Sequence, residues 1–147
     1  MTTETKQKVI SRPEELADDE RGVIERLGEG PWQSVLRITS KAGTVRANHY
    51  HKYDSHLCFL AKGKVRYVYR PAEDEQAPLH EKIVKPGQLF YTPPMVAHAM
   101  HFLEDSEFYV LTPRSGEQGE YENDVERVEL VSPAFAKTAV GKTHRSR

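Results

Sequence analysis

The sequence has a single cysteine and lacks long apolar runs. Cys58 has no second cysteine in the chain with which to form a disulfide, so nothing indicates an oxidising compartment. The N-terminal stretch is polar and acidic and has no apolar signal core, and no later stretch approaches the roughly 20 apolar residues of a membrane helix. These absences predict a cytoplasmic protein.

The chain also lacks an excess of charge of either sign. It has 21 Lys and Arg against 22 Asp and Glu, and the two signs are interspersed. This balance excludes the basic surface that nucleic-acid binding requires. With 147 residues, 37% of them hydrophobic, the chain is long enough for one domain with a core. We place that domain at residues 21–131, between a flexible N-terminal segment (1–20) and a polar C-terminal tail (132–147).

Short runs with β-branched or aromatic residues at every second position, separated by turn residues, predict an all-β fold. Val65, Tyr67 and Tyr69, for example, alternate with residues 66, 68 and 70, as in a half-buried strand. The predicted strands are Trp32–Thr39, Thr44–His51, Leu57–Ala61, Lys64–Arg70, His80–Lys85, Gln88–Thr92, Ala97–Phe102, Glu107–Leu111 and Val125–Val131. A helix is expected only as a turn or two at Pro13–Asp19.

Four histidines have the spacing that a mononuclear metal site on a small β-barrel would need: His49, His51, His56 and His98. Because His49 and His51 are two residues apart, an extended strand points both to one face. Imidazole nitrogen suits Zn, Fe, Ni, Cu and Co, whereas Mg and Ca prefer oxygen ligands. An all-nitrogen site therefore argues for a transition metal.

The remaining histidines are interpreted as non-ligands. His101 is an odd number of residues from His98 and so faces the other side of a regular strand. His80 and His144 lie outside both histidine runs.

The two histidine runs resemble the two cupin motifs. Residues 43–63 read Gly, five residues, His-x-His, four residues, His56, six residues, Gly, and residues 87–98 read Gly, five residues, Pro, then His98. His56 stands where cupins usually have Glu, while Met95 and Phe102 replace the usual Gly and Asn. The resemblance implies a single-domain jelly-roll β-barrel. It also implies that His49, His51, His56 and His98 bind the metal, with Zn, Fe, Ni and Mn all open.

The run Arg-Ala-Asn-His-Tyr-His at 46–51 resembles a stretch in sugar-nucleotide enzymes. It is similar to Arg-Gly-x-His-Tyr-Gln of dTDP-4-dehydrorhamnose 3,5-epimerases and to Arg-Gly-Asn-His-Tyr-His in the cupin part of bifunctional capsular-polysaccharide enzymes, although Ala47 replaces their Gly. Nucleotide-sugar 3,4-ketoisomerases also have a His-x-His on this strand. The resemblance implies a nucleotide 4-keto sugar as substrate, proton removal next to its carbonyl, and Arg46 on the diphosphate.

Proton removal needs a base, and a histidine bound to a metal through its lone pair cannot serve as one. If all four histidines are ligands, the base must come from elsewhere on the barrel strands. The catalytic candidates are Tyr67, Tyr91, Tyr109 and Glu107.

Two other functions remain open at this point. A mononuclear non-haem iron dioxygenase would also use a histidine-only site with open positions. A non-catalytic module that binds a sugar or another small molecule would need no base. For any of these functions we expect a homodimer, because cupins commonly pair through edge strands.

Overall fold

The computed structural model describes residues 8–114 and 118–138. The strands are β1 (Ile10–Ser11), β2 (Glu14–Asp19), β3 (Gly22–Arg26), β4 (Ser34–Ser40), β5 (Val45–His51), β6 (His56–Lys62), β7 (Val65–Pro71), β8 (His80–Val84), β9 (Leu89–Thr92), β10 (Val96–Phe102), β11 (Ser106–Thr112) and β12 (Val125–Arg127). A helix, α1, spans Gln118–Asp124, and residues 133–138 are also helical. No helix in these ranges is long and apolar enough to cross a membrane.

The strands form two five-stranded antiparallel sheets that face each other. One sheet has the order β1, β9, β6, β11, β4, and the other has the order β12, β5, β10, β7, β8. Strands β2 and β3 pair with each other as a separate hairpin. Consecutive strands alternate between the sheets over much of the chain, which is the jelly-roll arrangement. The predicted all-β jelly roll is confirmed.

Inward-facing side chains of both sheets form the core. Leu60, Tyr67, Phe90, Phe102 and Phe108 are each at most 1% exposed and belong to one hydrophobic cluster. Tyr67 reaches the edge of this cluster, where its ring centroid lies 6.0 Å from that of His98. The core cluster therefore lies directly beneath His98 and contacts it through Tyr67.

All nine predicted strands are present, and two predictions need correction. The expected helical turn at Pro13–Asp19 is wrong, because Glu14–Asp19 is strand β2. The last strand ends at Arg127 instead of Val131. Strands β1 and β3 and helix α1 were not predicted from the sequence, because each is seven residues long or shorter and α1 is strongly polar.

Candidate active site

Three of the four motif histidines converge at one end of the barrel. His49 and His51 end strand β5, and His98 pairs directly with His49 from strand β10. The three side chains are buried, and their nearest ring nitrogens all lie within 4.8 Å of one another. The ring centroid of His49 is 4.8 Å from that of His51 and 4.9 Å from that of His98.

His51 is paired with a buried carboxylate that the sequence analysis did not identify. Its Nδ1 lies 2.7 Å from Oδ2 of Asp124, the last residue of α1. The other oxygen, Oδ1, accepts from the backbone N–H groups of Tyr53 at 2.6 Å and Asp54 at 3.3 Å. Although burial opposes it, hydrogen bonds from His51 and these amides hold the pKa of Asp124 below its ordinary value.

The pairing determines which nitrogen of His51 is available. An ionised Asp124 can only accept, so Nδ1 of neutral His51 carries the proton and Nε2 keeps its lone pair. Nε2 is buried and has no hydrogen-bond partner among the described residues. Burial and the neighbouring His56 lower the pKa of His51, while Asp124 opposes them. The site therefore contains a neutral, oriented imidazole with a free acceptor.

His49 and His98 are also held neutral. Burial lowers the pKa of His49 to about 2, with contributions from His98 and His51. Burial likewise lowers the pKa of His98 to about 3. His98 donates from Nδ1 to the carbonyl of Val96 at 2.9 Å, which leaves Nε2 as its acceptor, and Nδ1 of His49 is buried without a partner in the described part of the chain.

His56 lies beside these three histidines with a carboxylate partner of its own. Its ring centroid is 4.4 Å from that of His51, and its Nε2 is 3.1 Å from Oδ2 of Asp54. Asp54 is buried and accepts from the hydroxyl of Thr112 at 2.7 Å. His51, Asp54 and His56 make a second group of possible ligands, which overlaps the first at His51.

The donor set fits a transition metal. His49, His51 and His98 offer three neutral imidazoles, and two of them have buried nitrogens that lack a described partner. Nitrogen donors of this kind suit Zn, Fe, Ni or Cu. The cluster could therefore hold a metal ion through these residues.

The four catalytic candidates occupy different places. Tyr67 is buried near His98, bonds through its hydroxyl to Thr92, and has its pKa raised by burial. Tyr91 lines a cavity of about 290 Å³ together with Tyr67.

Tyr109 and Glu107 lie apart from the histidines. They alternate on β11 with Phe108 and Val110, which are buried in the core, and so they face outward. Glu107 bonds to Arg37, which holds the pKa of this carboxyl below its ordinary range, and accepts from the Tyr109 hydroxyl at 3.3 Å.

A bulge in β5 determines the direction of Arg46. His98 pairs with His49, but the next residue, Ala99, pairs with Ala47, so Asn48 is an extra residue. The bulge shifts the alternation by one, and Arg46 pairs with Met100 on the same face as His49 and His98.

Arg46 is about 7 Å along the sheet from His49, because their partners Met100 and His98 are two residues apart at roughly 3.3 Å per residue. It bonds to Ser40 and to the carbonyl of Thr39 and lines a cavity of about 720 Å³ with Lys41 and Lys62.

Two other histidines lie outside the cluster. His101 is on the opposite face of β10, where its Nε2 donates to the carbonyl of Ala136 at 3.1 Å. His80 is exposed and stacks on Tyr69. His144 falls outside the described residues.

Helix α1 covers the histidines with an aromatic side chain that the sequence analysis also missed. The ring centroid of Tyr121 lies 6.4 Å from that of His49 and 6.2 Å from that of His51. Asp54 stands inside the first motif and could have been recognised as a polar residue next to the ligand positions. Asp124 and Tyr121 had no such signal, because they are about 70 residues away along the chain.

No family model and no curated protein matches the sequence. Solved structures do match. One is a dTDP-4-dehydrorhamnose 3,5-epimerase from Sulfolobus tokodaii, with a TM-score of 0.65 and 17% identity over 82% of this chain and 76% of that chain. A 3,4-ketoisomerase from Helicobacter canadensis has a TM-score of 0.66 and 16% identity over 90% and 96% of the two chains.

A third is the dTDP-6-deoxy-D-glucose-3,5-epimerase RmlC from Legionella pneumophila in complex with dTDP-4-keto-L-rhamnose. It has a TM-score of 0.64 and 17% identity over 86% of this chain and 75% of that chain. At these identities the likeness shows the fold, which is the RmlC-like cupin jelly roll.

Proposed function

We propose that this chain is a cytoplasmic isomerase or epimerase of a nucleotide 4-keto sugar, which moves a proton at a carbon next to the carbonyl. The observation that carries the proposal is the buried pair of His51 and Asp124, with the acceptor Nε2 of His51 directed away from the carboxylate. In this proposal His51 is the base, in place of the tyrosine and glutamate candidates that the sequence suggested. The structural neighbours support the substrate class, since their names describe enzymes acting on such sugars.

In the proposed reaction, Nε2 of His51 removes the proton, Asp124 stabilises the imidazolium that forms, and the imidazolium then returns a proton to the enolate to give the product. His49 and His98 line the same space as neutral imidazoles. The one N–H of neutral His98 is donated to Val96, so His49 is the residue that can donate to the enolate oxygen as negative charge develops. Burial excludes water and strengthens these interactions.

We propose, as an alternative use of the same residues, that His49, His51 and His98 bind a divalent transition metal. Such an ion would act as a Lewis acid toward the carbonyl oxygen. If it is bound through Nε2 of His51, it uses the lone pair that the base needs. Nε2 of His51 therefore cannot bind a metal and accept the proton at the same time, and an experiment can show which of the two it does.

Deuterium exchange without oxygen tests the chemistry. In deuterated water, chelator-treated protein is expected to place deuterium next to the carbonyl of a dTDP-4-keto sugar, and added Zn²⁺ to slow this exchange by occupying His51. Exchange that requires the metal would instead assign the base to another residue, with Tyr67, which is buried near His98, as the first candidate.

Absence of exchange in both forms would contradict the isomerase proposal. Oxygen consumption by the iron-loaded protein would then favour the dioxygenase, and binding of dTDP without turnover would favour a binding module.

Metal content tests the donor set separately. The protein is expected to bind one Zn²⁺ per chain, and His51→Ala or His98→Ala to lower the occupancy sharply, because each removes one of three nitrogens. His101→Ala is the matched control, since His101 faces away from the cluster. Elemental analysis after dialysis measures the occupancy, and full retention in His51→Ala would refute the site.

Arg46 is proposed to bind the diphosphate of the substrate. The planar guanidinium makes paired bonds to phosphate oxygens that an ammonium cannot reproduce. Arg46→Lys is expected to weaken dTDP binding about tenfold, which corresponds to loss of about one charge-assisted bond. Calorimetry measures this, with Arg37→Lys on the outer face as control. No dTDP affinity in the parent protein would remove the nucleotide from the proposal.

A homodimer is the remaining part of this proposal. Exposed apolar side chains occur on the hairpin, at Leu16, Val23 and Ile24, and on the edge strand β4, at Val35 and Leu36. A second copy of the chain would cover this apolar surface and the open edge.

A further inference from the structure

The bulge before His49 has an unfavourable backbone conformation at two successive residues. Ala47 and Asn48 have φ angles of 71° and 53°, in the left-handed region that residues other than glycine rarely adopt. Without this bulge, regular alternation would turn Arg46 to the face opposite His49. The surrounding structure must therefore stabilise the bulge for both side chains to share one face.

The side chain of Asn48 is bound on both its oxygen and its nitrogen. Oδ1 accepts from the backbone N–H of Leu130 at 2.9 Å and of Val131 at 3.1 Å. Nδ2 donates to the carbonyl of Val131 at 2.9 Å. The backbone carbonyl of Asn48 also accepts from Val128 at 2.9 Å. All four bonds join the bulge to the segment that follows β12.

This segment, residues 128–138, is called the strap. It crosses the outer face of the second sheet, where Val131 and Ala136 pack against Val68 and Ala99 and are buried. Its far end is held by the bond from Nε2 of His101 to the carbonyl of Ala136. The strap therefore has two polar attachments, one at the bulge and one remote from it.

We propose that Asn48 is a positioning residue, which fixes the bulge against the strap and thereby sets the direction of His49 relative to Arg46. Asn48 faces away from the histidines and contacts no reacting group in this arrangement. The effect of Asn48 on turnover rests on the proposed function, but its effect on the orientation of the His49 imidazole does not. The two can therefore fail independently.

Asn48→Gly distinguishes the effect of the Asn48 side-chain bonds from that of the backbone conformation at this position. Glycine tolerates the positive φ but removes the three side-chain bonds. The imidazole ¹⁵N and ¹H shifts of His49 and His51, recorded on the full chain without ligand, are expected to change in Asn48→Gly. The exchange rate on a dTDP-4-keto sugar is expected to fall on the order of 100-fold, as for a displacement of about 1 Å.

His101→Ala is the matched control, because it releases the remote end of the strap. It is expected to lower stability while leaving the shifts of His49 and His51 unchanged. Unchanged shifts in Asn48→Gly, or equal changes in both variants, would overturn the proposal and leave Asn48 a structural residue. A parent protein without turnover would refute the proposed function alone, since the shifts still report the orientation.

Amide hydrogen exchange of the unsubstituted protein covers the case in which Asn48→Gly does not fold. If the side-chain bonds of Asn48 couple the strap to the bulge, both regions should open together. The amide protection factors of Leu130 and Val131 should then lie within about tenfold of those of residues 49–51. Much faster exchange of the strap amides would contradict the coupling.

Discussion

Asp124→Asn is expected to lower the rate of proton exchange by about 10⁴-fold, the size of the effect when a catalytic histidine is held in the wrong tautomer. The amides of Tyr53 and Asp54 point at Oδ1, so the oxygen of an asparagine would remain there. Its NH₂ group would then face Nδ1 of His51 and force the proton onto Nε2. Rates of deuterium incorporation measure the loss.

Glu126→Gln is the matched control for this variant. It removes the same charge two residues away, on an exposed side chain that bonds to Lys52. It is expected to leave the rate unchanged. An Asp124→Asn protein that is folded and fully active would refute the assignment of His51 as the base.

The metal-free protein is expected to lose about 3 kcal/mol of unfolding free energy between about pH 7.5 and 5.5. His49 and His98 are neutral in the folded state, where burial lowers their pKa values to about 2 and about 3 from 6.5. The unfolded chain binds a proton at each of them below pH 6.5, so acid favours unfolding. Their stabilising effect is present above pH 6.5 and declines as the pH falls, by roughly 1.4 kcal/mol per histidine at pH 5.5.

Urea unfolding at the two pH values measures this difference. The double variant His49→Gln with His98→Gln is expected to be less stable at neutral pH, since it disturbs a buried cluster, but to lose most of the pH dependence. Equal stability of the parent protein at both pH values would contradict the burial of neutral histidines.

The fold was largely predictable because its signals are local. Strand alternation, as at Val65, Tyr67 and Tyr69, and turn glycines lie within windows of ten residues or fewer, and all nine predicted strands formed. Strand β2 was not predictable in the same way, because Glu14–Asp19 is polar and fully exposed. A strand that pairs only in a hairpin and buries little apolar area leaves no hydrophobic pattern to recognise.

The sequence by itself determined the jelly-roll fold and which four histidines approach one another, because both depend on two motifs with fixed spacing, whose histidines lie on strands β5, β6 and β10. The tertiary structure decided what those histidines can do. Asp124 is 73 residues from His51 along the chain, so no local sequence pattern could predict their contact. The direction of Arg46 depends on the bulge at Asn48, because one extra residue reverses the two-residue alternation on which strand predictions rest.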